Sequence, residues 1–105
     1  MSNKREILYG TNSVPTSAGT AYTSTGNTHI DQATVLNDTG SAITVTVEVV
    51  ISGGATVVLY NAYNLASGSG ENLTRLVNHG LGTGDAIRVT ASGSNLNMLI
   101  SGRDF

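Results

Sequence analysis

From residue 43 to residue 49 the chain reads Ile-Thr-Val-Thr-Val-Glu-Val, a strict alternation of apolar and polar side chains. Successive side chains of an extended strand point to opposite faces. Ile43, Val45, Val47 and Val49 are therefore predicted to face a core, with Thr44, Thr46 and Glu48 turned away. The same period returns where Ile87, Val89 and Ala91 alternate with Arg88 and Thr90. It appears again where Leu96, Met98 and Ile100 alternate with Asn97, Leu99 and Ser101. No window of a dozen residues keeps a helical period. Ten Val, six Ile and fourteen Thr, against one Lys and three Glu, weight the chain further toward strands.

Turn chemistry separates these runs. Asn37-Asp38-Thr39-Gly40-Ser41 follows a strand predicted over His29–Leu36, and Ser92-Gly93-Ser94 precedes the last one. Ser52-Gly53-Gly54 is expected to close a hairpin between the 43–49 strand and Thr56–Tyr60. Ile7-Leu8-Tyr9 begins a short strand, and Thr16–Thr28 reads as loop, edge strand or arm. Pro15 beside it is tolerated only at a sheet edge. Leu73–Val77 fits a strand or one helical turn. Strands spaced ten to fifteen residues apart with turns between them predict an all-β sandwich or barrel. At 105 residues the chain forms one domain with a thin core.

Charge removes several functions. The five basic residues, Lys4, Arg5, Arg75, Arg88 and Arg103, are scattered in a chain of net charge −2. No phosphate-tracking groove is expected, and so no nucleic acid partner. No apolar run is long enough to span a bilayer as a helix, and no membrane partner is expected. Glu6 follows Lys4-Arg5 with no apolar stretch behind it, so no secretion signal is expected. The chain has no cysteine, which excludes disulfides and thiol chemistry. A small domain without such staples commonly gains stability by associating with other copies.

The candidate chemistry is sparse. Gly80–Asp85 is glycine-dense, but Asp85 and a strand follow it, where a phosphate loop needs a helix N-terminus. It is expected to be a plain connection using the positive φ that glycine allows. His29 and Asp31 share one strand face and could join Asp38, Asp85 or His79 around a metal, yet only that local pair is visible. No strand-to-helix elbow presents a serine nucleophile. No catalytic residue, metal or cofactor is expected. Tyr60 and Tyr63 could offer a small stacking platform for a sugar, although Tyr60 better suits the sandwich edge. Asn37-Asp38-Thr39 and Asn72-Leu73-Thr74 match the glycosylation pattern and are read as turns.

The combined pattern resembles the small β-sandwich structural proteins of tailed bacteriophage virions, among them head decoration (cement) proteins and fibre domains. The likeness runs through Leu8-Tyr9, Val14-Pro15, Ala18-Gly19-Thr20 and Val35–Ala42. It continues through Ile43–Val49, Gly84–Ser92 and Asn97–Gly102. It implies an antiparallel, jelly-roll-like sandwich of about seven or eight strands. It further implies a non-enzymatic homotrimer on the outer capsid surface of the virion, with the major capsid protein as partner. Residues 1–8 would form a capsid-contact arm carrying Lys4, Arg5 and Glu6, with His29, Asp31, Tyr60 and Tyr63 as an interface or ligand face. A tail, head-fibre or neck component and a carbohydrate-binding module are the alternatives.

Overall fold

The computed structural model describes residues 5–104. Nine strands follow one another: β1 (Glu6–Thr11), β2 (Gly19–Thr23), β3 (Thr28–Leu36), β4 (Ile43–Val50), β5 (Thr56–Leu65), β6 (Gly70–Asn72), β7 (Gly80–Leu81), β8 (Ala86–Ala91) and β9 (Asn97–Asp104). Two antiparallel sheets stack as a sandwich. Sheet A runs β1-β9-β3-β6, with β7 beside the other end of β3, and sheet B runs β2-β8-β4-β5. The shortest dimension, 19 Å, matches two sheets about 10 Å apart with side chains on their outer faces. The described residues form no helix, so none is long and apolar enough to cross a membrane.

With β7 set aside, the pairing is nested: β1 with β9, β2 with β8, β3 with β6, β4 with β5. A long two-stranded ribbon folded over itself gives this order, the jelly-roll arrangement of a sandwich. The chain folds this way because alternating strands must bury one face each. Val45, Val47, Ile87, Val89 and Ile100 are fully buried between the sheets, as their period predicts. Thr44, Thr46 and Glu48 lie on the opposite face, half-buried. The Ile51–Ala55 turn closes the expected β4–β5 hairpin through the Ile51 N–H and the Ala55 carbonyl at 2.9 Å. Pro15 stands outside the ladders, its carbonyl accepting the Ala91 N–H at 2.8 Å.

Several expectations need correcting. The strands number nine rather than seven or eight, since β6 and β7, of three and two residues, are too short to show a period. The β5 strand runs on to Leu65, past a bulge opposite Val47 and an Ala62 held at φ +50°. Of the two readings left open for Leu73–Val77, the turn is found, with Leu76 and Val77 donating to the Leu73 carbonyl. Glu6 and Ile7 open β1 opposite Gly102 and Ser101 of β9, with Leu8 at a register shift, so this part of the N-terminal segment belongs to sheet A. Lys4 lies outside the described residues.

Candidate functional site

The outer face of sheet A gathers more of the distinctive side chains than any other surface. Its construction begins with a bulge in β3 between Ile30 and Gln32. The bulge shifts the inward phase from Thr28 and Ile30 to Ala33 and Val35, and Asp31 sits at the shift. Its side chain, only 6% exposed, is held by three basic groups. Arg103 donates through Nε to Oδ2 and through Nη2 to Oδ1, both at 3.1 Å, and Arg5 Nε donates to Oδ2 at 3.3 Å. His29 Nδ1 lies 2.9 Å from Oδ1. Burial pushes the Asp31 carboxyl up, but the Arg103 and His29 hydrogen bonds and the charges of Arg103 and Arg5 outweigh it. The group stays below the usual carboxylate range and is ionised at neutral pH.

The rest of this face carries exposed apolar side chains. Leu36 on β3 and Leu99 on β9, toward its other end, are each 44% exposed, and Ile7 on β1, opposite Ser101, is 67% exposed. Glycines let these side chains lie flat along the sheet. A Cβ at Gly10 would meet Leu99 Cδ1 at 3.3 Å and Ile7 Cγ2 at 3.6 Å, so the two side chains converge over that glycine. A Cβ at Gly70 would meet Leu36 Cδ1 at 3.3 Å. Thr11, Thr34 and Asn97 join Leu36 and Leu99 around a shallow hollow of about 280 Å³. Sheet B's outer face differs in character, with Arg88 Nε donating to Glu48 Oε1 at 2.8 Å among threonines.

The predicted site residues therefore separate into two groups. Arg5, His29 and Asp31 meet at one carboxylate, although Arg5 and Asp31 stand 26 residues apart. Glu6 is paired opposite Gly102 in β1. Tyr60 and Tyr63 lie on β5 of sheet B, in the other sheet from the Asp31 carboxylate. Tyr60 is 4% exposed and meets Tyr63 edge to face, with ring centres 5.5 Å apart. The Arg75 guanidinium sits 4.9 Å from the Tyr60 ring centre, and the Tyr60 hydroxyl accepts the Arg75 N–H at 3.0 Å. The Tyr63 hydroxyl donates to Glu71 at 2.9 Å.

No family model, curated protein or solved structure matches the chain. The site is thus read from its own geometry. Among the described residues, no three His, Asp or Glu side chains converge as metal ligands. Asp85 is occupied by the N–H groups of Ser52 and Gly82, and does not meet His29 or Asp31.

Two features escaped sequence reasoning. One is the exposed apolar strip, although a signal existed: Leu99 belongs to the outward set with Asn97 and Ser101, where a leucine is out of phase. The other is a polar cluster joining the sheets at one end. The Tyr22 and Thr28 hydroxyls donate to Asp104 Oδ1 at 2.7 and 2.6 Å, and Ser24 Oγ lies 2.8 Å from Thr28 Oγ1. Those hydroxyls hold the Asp104 carboxyl below its ordinary range against the opposing effect of burial. No local spacing announces a cluster drawn from residues 22 to 104.

Proposed function

We infer that the protein is a non-enzymatic structural component that docks flat against a larger protein surface, as a capsid decoration protein of a tailed bacteriophage virion. The observation that carries the docking role is the outer face of sheet A, where Ile7, Leu36 and Leu99 stand exposed on a rigid sheet. Scattered apolar residues are ordinary on a protein surface, but a contiguous strip flanked by hydroxyl and amide groups suits a partner interface. The arginine-clamped Asp31 supports the same role by stiffening one end of that face. The choice of a capsid as the partner comes from the sequence resemblance. On a repeating lattice, many modest contacts of this kind add up to firm attachment.

Co-sedimentation with purified capsids tests the reading. The unmodified protein is expected to pellet with capsids, while Leu36→Asp/Leu99→Asp stays in the supernatant. Both side chains are exposed, so the double variant should keep the circular dichroism and melting behaviour of the parent. Attachment that survives the double substitution removes sheet A from the role. A protein found in purified tails but not on capsids favours the fibre alternative.

A further inference from the structure

Sheet B ends on β5, and no other strand among the described residues pairs with its outer side. The Ala55 carbonyl points inward to the Ile51 N–H. Peptide orientation alternates along an antiparallel strand, so Val57 also faces β4 while Thr56 and Val58 aim their N–H and C=O groups outward. Both residues are exposed. The free run has definite ends. The Ser52–Gly54 turn closes it on one side. On the other, β5 bulges opposite Val47, and Arg75 Nη1 takes the Leu59 carbonyl at 3.0 Å.

The inward side of this run is also unfinished. Val57 pairs with inward-facing Val49 yet is 43% exposed. With Val49, Ile51, Leu59 and Leu81 it lines an apolar groove of about 210 Å³ between β5 and the two-residue β7. The whole of β5 carries no charge and no proline. Edge strands that stay single usually carry such groups as protection.

We propose that β5 of one copy pairs with β5 of a second copy, antiparallel about a two-fold axis centred on Val57. In this register Thr56 and Val58 of the second copy's strand exchange N–H···O bonds with Val58 and Thr56 of the first. The two Val57 side chains stand directly opposite over the groove, as a non-hydrogen-bonded pair with Cα atoms about 4.5 Å apart. The occupant is a second copy because this edge complements itself. A two-fold axis sets each strand against its own sequence, which would oppose like charges in a charged strand and opposes none here. The contact lies on sheet B and goes beyond the docking role of sheet A. It yields a dimer in place of the trimer implied by the resemblance.

The absence of cysteine from the chain makes directed cross-linking clean. Val57→Cys is expected to give a covalent dimer under mild oxidation, because the paired Cα atoms fall within disulfide reach. Val58→Cys faces Thr56 rather than its own counterpart, and is expected to remain monomeric on the same gel. Val57→Lys is expected to keep its circular dichroism spectrum and to lose the dimer in analytical ultracentrifugation. Equal cross-linking at both positions, or none at position 57, overturns the proposal. So does an unmodified protein that sediments as monomer at every concentration, or as trimer. None of these measurements involves a capsid, so their failure is separate from any failure of the docking role.

Discussion

The two carboxylate oxygens of Asp85 serve different loops: Oδ1 accepts the Ser52 N–H at 2.9 Å and Oδ2 the Gly82 N–H at 2.8 Å. The Asp85 carbonyl also accepts the Ser24 N–H. One residue thus ties the β4–β5 hairpin, the glycine loop and the segment before β3. Its hydrogen bonds with Ser52 and Gly82 lower the carboxyl pKa more than burial raises it. A depressed folded pKa stabilises the fold above the unfolded value of about 3.9, and the stabilisation is lost as pH falls through the folded value. Asp85→Asn, which turns an amide donor toward one of those N–H groups, is expected to lower the melting temperature at neutral pH. The gap from the parent should narrow as the buffer is taken below about pH 4. A gap of constant size across that range would show that the charge is unimportant. From the sequence, Asp85 was legible only as a carboxylate that would repel an anion from the glycine loop. Its actual partners are backbone groups, which carry no side-chain signature. The register of Val47 was fully legible, because burial of alternate residues is a local pattern. The clamp on Asp31 was not, because Arg103 stands 72 residues away and only the sheet brings it near.

Among the strands, β9 is an interior one of sheet A, held between β1 and β3. Gly102 sits where the β3 bulge brings the backbone of His29 close. A Cβ there would run into the His29 carbonyl and lie 2.8 Å from Leu8 Cδ1. Backbone cannot swing aside as a flexible side chain can, so Gly102→Ala is expected to cost about 1–3 kcal/mol as an overpacked site. That corresponds to a drop of at least about 4 °C in melting temperature for a domain near this size. Gly10→Ala, whose Cβ would touch only the ends of two exposed side chains, is expected to shift the melt far less. Equal shifts for the two variants would mean that the bulge can relax. The long strands β4, β8 and β9 were legible from their period. The β3 strand was legible in extent but not in phase, since one bulged residue exchanges its inward and outward sets. In β5 the bulge and the left-handed Ala62 hid the continuation to Leu65.

At the scale of the molecule, only the β4–β5 hairpin joins strands that a short turn could have predicted. The remaining pairs close across the chain, and their partners are chosen by which faces must be buried together. A topology of this kind folds slowly, in milliseconds to seconds, because distant segments meet before any contact rewards them. The outermost of the nested pairs has a further consequence. Glu6 lies opposite Gly102, so the chain enters and leaves the sandwich at neighbouring points of one sheet. The path of the nine strands is close to a closed circle with a single cut. A linker of a few residues from Asp104 to Glu6 should heal that cut, and a new one at Gly53, in the exposed hairpin turn, should leave every strand pair whole. Such a circular permutant is expected to reproduce the circular dichroism and single melting transition of the parent. A permutant that fails to fold would mean that the turn at Gly53 guides folding itself, beyond joining two strands.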